Sequence, residues 1–201
     1  MDRTEHILTS IRKQVEMGGR SGAETVYLDN VSFRVQSSRG ERFLYGADLP
    51  AAEIDFAWFL RCEDMQEEVP HPEPEKSWWK KTFGRDAWPY GHVWNLDRLV
   101  KRLETPGMER RAVLLNPPGS CITCYQFQNV DIGYLDMTVT MRSSDVCTCL
   151  PQDVVMSDKL LTLVADRVDL LPRYLTFNIG NAHVFYEDLE FQEEFEIDLP
   201  L

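Results

Sequence analysis

The stretch PGSCITCYQFQNVDIGYLDMTVTMRSSD, residues 118–145, contains the pattern that decides the fold. Tyr125 to Val130 and Leu135 to Met141 are rich in β-branched and aromatic residues, which favours two strands. Cys121 precedes the first strand, and Arg142 follows the second, 21 residues after that cysteine. A thiolate reacts far better than a thiol, and arginine can both favour the thiolate and bind phosphate. The stretch therefore predicts covalent chemistry on a phosphorylated small molecule.

Helices and strands alternate along the rest of the chain without an internal repeat. Apolar spacing predicts helices at 6–17, 51–60, 96–103 and 154–168, and alternating patterns predict further strands at 25–35, 111–115, 174–179 and 182–186. The acidic, proline-rich segment 63–75 is expected to be a loop, and the C-terminal tail is acidic. This order indicates a single α+β domain, residues 1–201.

Composition limits the classes of function. A chain of 201 residues with 43% hydrophobic and 27% charged residues fits one globular domain. Its net charge of −12 argues against a general nucleic-acid surface. The chain lacks an apolar run long enough to span a membrane and the residue order of a secretory signal, so a soluble, cytoplasmic protein is expected. The odd number of five cysteines predicts reduced thiols.

A zinc site is an alternative for four of these cysteines. Cys121 and Cys124 form a Cys-x-x-Cys pair, and Cys147 and Cys149 form a Cys-x-Cys pair. The second spacing is unusual for a structural zinc site, and strand residues three apart project to opposite faces. The favoured prediction is therefore that no metal binds and that Cys121 is a nucleophile.

Several motifs follow the order found in thymidylate synthases and nucleotide hydroxymethylases. They are Trp58-Phe59-Leu60, Tyr90-Gly91-His92-Val93-Trp94, Arg110-Arg111, Pro118-Gly119-Ser120-Cys121, Tyr125-Gln126-Phe127, Arg142-Ser143-Ser144-Asp145, Leu150-Pro151-Gln152-Asp153 and Gly180-Asn181-Ala182-His183. The chain thus resembles a short, divergent member of this family along nearly its whole length. The resemblance implies a mixed, mainly antiparallel β-sheet flanked by helices, with one sheet face used for dimerisation.

The resemblance implies one-carbon transfer to C5 of a pyrimidine nucleotide. Cys121 would add to C6 as a thiolate, with Arg142 and its neighbours lowering the pKa of the thiol. Asp55 takes the place of a glutamate that orders water for proton transfer, and its shorter side chain implies an additional water. Tyr90 would complete the proton relay. Ile122 replaces a histidine that is common after the cysteine.

The resemblance also implies which residues bind the nucleotide. Arg20, Arg142 and Ser143 would bind the 5′-phosphate, whereas Arg110 and Arg111 would reach the neighbour's phosphate in a homodimer. The other expected substrate contacts are Gln126, Ser144, Asp145, Asp153, His183 and Phe185. His183 would bind the sugar hydroxyl, but Phe185 replaces a tyrosine that shares this role, so the choice between ribose and deoxyribose stays open.

Asp153 is the position that indicates the base. In the family that the chain resembles, uracil-specific members carry Asn at this position, because an amide can donate to O4 of uracil and accept from its N3–H. Cytosine presents an N4 amino group and an unprotonated N3, which fit a carboxyl group that accepts from N4 and, when protonated, donates to N3. Asp153 therefore resembles the residue of deoxycytidylate hydroxymethylases, although it would also cap a helix that starts at Val154.

By the same resemblance, 5,10-methylenetetrahydrofolate is the one-carbon donor. Asp145 resembles an aspartate that meets the pterin, and Trp78 and Trp79 would form part of the folate wall. The sequence ends at residues 196–201 without the family's closing tail, so an open site is expected in which water captures the C5 methylene. The favoured function is a (deoxy)cytidylate 5-hydroxymethylase. A dUMP-using methylase or hydroxymethylase and a non-catalytic nucleotide-binding relative are the alternatives.

Overall fold

A computed structural model describes residues 3–40, 44, 46–63, 69–84 and 89–190. The helices are α1 (Arg3–Gly18), α2 (Leu49–Arg61), α3 (Trp78–Phe83), α4 (Leu96–Glu104), α5 (Cys149–Arg167) and α6 (Tyr186–Glu190). The strands are β1 (Arg20–Ser21), β2 (Thr25–Gln36), β3 (Val113–Leu115), β4 (Ile122–Asp131), β5 (Tyr134–Asp145) and β6 (Leu171–Phe185). Short 3₁₀ helices lie at Tyr90–Val93 and Glu109–Arg111. Residues 191–201 of the acidic tail and residues 64–68 of the predicted loop are outside the described residues.

One six-stranded sheet carries the fold, in the order β1-β2-β6-β5-β4-β3. Strands β5 and β6 are parallel, and all other neighbouring pairs are antiparallel. A parallel pair needs a crossover connection, which α5 provides. The predicted α+β fold with a mixed, mainly antiparallel sheet flanked by helices is confirmed. Within the described ranges, no helix has the length and apolar character to cross a membrane.

Three adjacent strands exchange their buried and exposed sides at the same row of the sheet. On β6 the buried residues are Leu175, Phe177 and Ile179, followed by Ala182 and Val184. Strand β5 reverses in the same way at Arg142, and β2 reverses at Asn30, whose φ is 59°. Gly180 lies in this row, where a Cβ atom would stand 2.9 Å from the carbonyl oxygen of Arg142. The strands can therefore approach this closely only because residue 180 has no side chain.

Three local predictions were wrong. Helix α5 begins at Cys149, because Pro151 is tolerated in a first turn, where its missing N–H is not needed. Asp153 consequently lies inside the helix and does not cap it. The two strands predicted at 174–179 and 182–186 form the single strand β6, since the change of face at Gly180 does not interrupt the pairing. Arg111 belongs to a 3₁₀ helix instead of a strand.

Candidate active site

A cleft of about 430 Å³ opens beside Cys121. Its lining includes the aromatic side chains of Trp79, Phe83 and Tyr90, together with Cys121 and Arg142. This volume lies within the range of about 300–1,000 Å³ that is usual for small-molecule sites. The structure thus brings the predicted nucleophile, the predicted phosphate ligand and one predicted folate residue to a single cavity.

Arg142 is held against the loop that carries Cys121. The backbone N–H of Arg142 donates to the carbonyl oxygen of Cys121 at 2.8 Å. The guanidinium donates to the carbonyl oxygen of Gly119 through Nη2 at 2.9 Å and to that of Ser120 through Nε at 3.2 Å. Nη2 also lies 3.8 Å from Cys121 Sγ, and Nη1 donates to Ser143 Oγ at 3.0 Å. The cation is therefore oriented toward the thiol.

Burial raises the pKa of the Cys121 thiol above its ordinary value, and the Asp153 carboxylate raises it further. Arg142 and a hydrogen bond from Ser143 act in the opposite direction, as expected from the sequence, but they do not outweigh burial. Arg142 and Ser143 therefore lower the pKa of the Cys121 thiol, as expected. The net shift of that pKa is nevertheless upward.

Asp153 lies on the buried side of α5 and is only 8% exposed. Burial raises the pKa of its carboxyl group to about 8. The group is therefore largely protonated at neutral pH, and a protonated carboxyl group offers one donor and one acceptor. Since a neutral Asp153 does not repel the Cys121 thiolate, that repulsion acts mainly above pH 8.

A second, smaller cavity connects Asp153 with Asp55. Its volume is about 10 Å³, which is room for about one water molecule. Trp79 and Tyr90 line both this cavity and the cleft, so the two spaces adjoin. Tyr125 also lines the small cavity.

Asp55 is held by two donors on its side of this cavity. Its Oδ1 accepts from His71 Nε2 at 2.9 Å, and its Oδ2 accepts from the backbone N–H of Trp79 at 2.9 Å. His71 comes from the segment that the sequence indicated only as a loop, and no role was predicted for it. Neither its neighbouring prolines nor its spacing from Asp55 signals this contact.

Tyr90 is positioned by a close approach of its 3₁₀ helix to α2. A Cβ atom at Gly91 would lie 1.9 Å from the carbonyl oxygen of Phe59, so only glycine fits there. The Tyr90 hydroxyl lies beside the backbone N–H of Ile122. Burial, and secondarily Asp153, raises the pKa of this hydroxyl, so Tyr90 is a neutral donor or acceptor next to the nucleophile.

Several predicted substrate ligands do not line the cleft of a single chain. Arg20 is exposed on β1 and pairs with Asp29 at 3.4 Å. Arg110 and Arg111 are exposed on the second 3₁₀ helix. Gln126 alternates with the buried residues Tyr125 and Phe127, so its side chain points to the opposite face of the sheet.

Ser144 and Asp145 are both buried at the end of β5. Ser144 Oγ is buried and has no hydrogen-bond partner in the described part of the chain. The Asp145 carboxylate accepts from the backbone N–H of Cys147 at 2.9 Å and from the Thr148 hydroxyl, which organises the turn into α5. Asp145 therefore has a structural role in addition to its predicted contact with folate.

His183 and Phe185 lie at the end of β6. His183 is in register with Asp145 of β5, and its Nδ1 lies 3.2 Å from Asn181 Oδ1. The Phe185 ring stands perpendicular to the imidazole at 5.3 Å. The next residue, Tyr186, donates its hydroxyl hydrogen to the carbonyl oxygen of Gly22.

The four-cysteine zinc arrangement is not formed. Cys121 lies in the cleft, whereas Cys124 is on β4 between Leu115 and Thr140 of the neighbouring strands. Within the described ranges, the His, Cys, Asp and Glu side chains that cluster in a group of three or more are Asp145, Cys147 and Asp188. That group contains one of the four cysteines.

Comparisons with known proteins agree with the family resemblance of the sequence motifs. The model of the thymidylate synthase family matches residues 79–195. A relative in Methanopyrus kandleri is 29% identical over 126 residues, which cover 58% of this chain and 60% of that protein. The thymidylate synthase of Enterobacteria phage T4 is 29% identical over 119 residues, covering 54% of this chain and 41% of its own. The thymidylate synthase of Mesoplasma florum is 25% identical, with coverages of 54% and 41%. The match therefore spans about half the length of these relatives.

Proposed function

Because the chain belongs to the thymidylate synthase family, we propose that it is a (deoxy)cytidylate 5-hydroxymethylase that uses 5,10-methylenetetrahydrofolate. The observation that carries this assignment is the buried carboxyl group of Asp153, whose pKa is raised to about 8. The adjoining cleft supplies a thiol, a guanidinium and a phenol hydroxyl, from Cys121, Arg142 and Tyr90, which suit addition to C6, phosphate binding and proton transfer.

Covalent addition by Cys121 starts the proposed reaction. Its thiolate forms a bond to C6 of the base, and the electron pair of the C5–C6 double bond makes C5 nucleophilic. Arg142 favours the thiolate by its charge and leaves part of its guanidinium for the 5′-phosphate. Methylenetetrahydrofolate supplies the one-carbon unit that C5 receives. Loss of the C5 proton with departure of tetrahydrofolate then leaves a methylene group at C5. Water adds to this methylene to form the hydroxymethyl group, and departure of Cys121 as a thiolate restores the C5–C6 double bond.

Asp55 and Tyr90 are proposed to take part in proton transfer at C4 and C5 of the base. Both line the small cavity, which has room for about one water molecule. A water at this point can connect the Asp55 carboxylate to the exocyclic group at C4, which is the additional water that the shorter side chain needs. Asp55 thus orders the water that transfers the proton, and Tyr90 completes the proton relay near C5.

Base recognition is proposed to depend on the proton of Asp153. A neutral carboxyl group donates to N3 of cytosine and accepts from its N4 amino group. The same group can also donate to O4 of uracil and accept from its N3–H, so dUMP is the second candidate substrate. The names of the phage and Mesoplasma relatives favour that alternative. A non-catalytic nucleotide-binding protein is a third candidate, which C5 exchange by the purified protein would exclude.

Substitution of Asp153 by Asn tests the choice of base. Nucleotide titrations by calorimetry should give tighter binding of dCMP than of dUMP to the wild type, and Asp153→Asn should shift the preference toward dUMP. Comparison with CMP measures the contribution of the sugar, where His183 is the proposed ligand. A wild-type preference for dUMP would transfer the assignment to the second candidate.

The folate site is proposed on the aromatic side of the cleft. Trp79 lines the cleft, and its Nε1 is buried without a hydrogen-bond partner among the residues described, so a polar ligand atom could satisfy it. Trp78, which lines the smaller cavity, and Asp145, which is not among the residues that line either space, complete the proposed set. These residues suit a planar, polar ring system, and the four-cysteine zinc site is no part of the proposal.

The proposal includes a homodimer in which Arg110 and Arg111 reach the neighbour's phosphate. Their exposure on one chain leaves them available for this contact. Residues 1–201 are proposed to act as one domain. A reducing compartment such as the cytoplasm is also proposed, since all five cysteines are free thiols.

A further inference from the structure

His71 and Asp55 form a buried pair in which every polar atom of the imidazole is used. Both side chains are only 1% exposed, and His71 Nε2 lies 2.9 Å from Asp55 Oδ1. The other ring nitrogen, Nδ1, accepts from the backbone N–H of Glu73 at 3.1 Å. Because Nδ1 is an acceptor, the ring proton must be on Nε2 and point to Asp55. The tautomer is therefore fixed by the backbone.

This arrangement suits holding the carboxylate and does not suit relaying a proton through the imidazole. A relay needs a second partner that can give or take a proton, and the partner of Nδ1 is an amide N–H. Asp55 receives a second hydrogen bond from the Trp79 N–H at 2.9 Å. A carboxylate has about four acceptor positions, so positions are left for the cavity that it shares with Asp153.

The segment that carries His71 is anchored to the helix that carries Asp55. Trp58, on α2, donates its Nε1 hydrogen to the carbonyl oxygen of Val69 at 2.7 Å. Its ring also meets the His71 ring edge-on, with centroids 4.7 Å apart. His71 is thus held by packing as well as by hydrogen bonds, and it has little freedom to leave Asp55.

We propose that His71 is a positioning residue for Asp55, and that it fixes the carboxylate so that its unused oxygen positions face the water-sized cavity beside Tyr90 and Asp153. The catalytic consequence rests on the proposed function, because it concerns proton transfer at the base. His71 does not touch the substrate in this account. It acts by removing the rotational freedom of a carboxylate that is one methylene shorter than glutamate.

Two substitutions of His71 separate positioning from packing. His71→Leu keeps an apolar body and removes the donor, whereas His71→Gln can place an amide N–H near the original Nε2. We expect His71→Leu to lower kcat for exchange of the C5 hydrogen by about 10- to 100-fold, the range for losing one hydrogen bond to a charged group. The KM for the nucleotide should stay within about twofold of the wild-type value, because His71 does not contact the nucleotide and its binding in the ground state is not affected. His71→Gln should recover most of kcat.

A double-mutant cycle with Asp55→Asn identifies the path of the effect. If His71 acts through Asp55, His71→Leu should have little further effect on kcat in the Asp55→Asn background. Additive losses, or equal impairment by His71→Leu and His71→Gln, would overturn the proposal. Urea unfolding of each variant corrects for any loss of folded protein.

The tautomer of His71 gives a test that does not depend on activity. In the wild-type protein, ¹⁵N NMR should show the proton of His71 on Nε2. A proton on Nδ1 of the neutral ring would overturn the proposal even if every His71 variant fails to fold. Absence of C5 exchange in the wild type with all nucleotides would instead reject the proposed function, while the tautomer still decides whether His71 donates to Asp55.

Discussion

Arg142 Nη2 lies 3.8 Å from Cys121 Sγ, and the backbone N–H of Arg142 donates to the carbonyl oxygen of Cys121 at 2.8 Å. The start of β4 and the end of β5 therefore fix the distance between cation and thiol through the main chain. The contact therefore does not rely only on the conformation of the long arginine side chain. This geometry makes the charge of Arg142 a constant part of the environment of Cys121.

The ionisation of Cys121 should respond in opposite directions to two substitutions. Arg142→Gln removes the cation and should raise the pKa of the thiol further, whereas Asp153→Asn removes a negative charge and should lower it. The rate of Cys121 alkylation by iodoacetamide, followed by mass spectrometry from pH 6 to 10, measures both shifts. Shifts of the same sign would contradict the electrostatic account of the site.

Asp153 should make the protein less stable as the pH rises. Its pKa is about 8 in the folded protein and about 4 in an unfolded chain. Between these values the folded protein holds a proton that the unfolded chain has lost. The stabilisation is complete below about pH 4 and is gone above about pH 8, and the unfolding free energy falls by up to about 1.4 kcal/mol per pH unit.

Urea unfolding of the wild type and Asp153→Asn at pH 5 and pH 8 checks this expectation. The asparagine variant does not titrate, so it should gain about 2–4 kcal/mol relative to the wild type between these pH values. Other titrating groups are common to both proteins and cancel in the difference. A difference that does not change with pH would show that Asp153 is ionised throughout the range.

Gly180→Ala should disturb the row where the strands change face. Its Cβ atom would lie 2.9 Å from the carbonyl oxygen of Arg142. Overpacking against backbone of this kind costs about 1–3 kcal/mol of stability, and nucleotide binding should weaken because Arg142 moves. Gly18→Ala is the matched control, since no atom lies within 4 Å of its added Cβ. Equal stability of the two variants would contradict the tight fit at Gly180.

Shared active sites would be revealed by mixing two inactive variants. Cys121→Ser lacks the nucleophile, and the double variant Arg110→Ala, Arg111→Ala lacks the proposed phosphate ligands for the neighbour. Random exchange of subunits in a two-fold dimer should restore roughly a quarter of the wild-type activity, because half of the dimers are mixed and each has one intact site. No recovery in dimers shown to exchange would place these arginines outside the neighbour's site.

The strands around the site could be predicted because their sequences combine β-branched residues with alternation. Both Tyr125 to Val130 and Leu135 to Met141 lie within observed strands. The continuity of β6 could not be predicted in this way. Its apolar pattern changes phase at Gly180, which in sequence resembles a break between two strands, and only the aligned reversals on β2 and β5 keep the pairing intact.

The positions of side chains across the site were less accessible to sequence reasoning. The proximity of Cys121 and Arg142 could be inferred from the motifs at two strand ends. The contact between Asp55 and His71 could not, because it depends on how an irregular segment folds back on α2. The raised pKa of Asp153 likewise follows from burial, which depends on the start of α5 at Cys149 and not at Val154.

Release of tritium from C5-labelled nucleotides tests the central claim most directly. Purified protein is incubated with labelled dCMP, dUMP or CMP, with and without methylenetetrahydrofolate, and Cys121→Ser serves as the control. The account predicts release that is faster with a cytosine nucleotide than with dUMP and absent in Cys121→Ser. Release from dUMP alone would contradict the preference for cytosine that is assigned to Asp153, and no release with any nucleotide would contradict the assignment of Cys121 as the nucleophile of a one-carbon transferase.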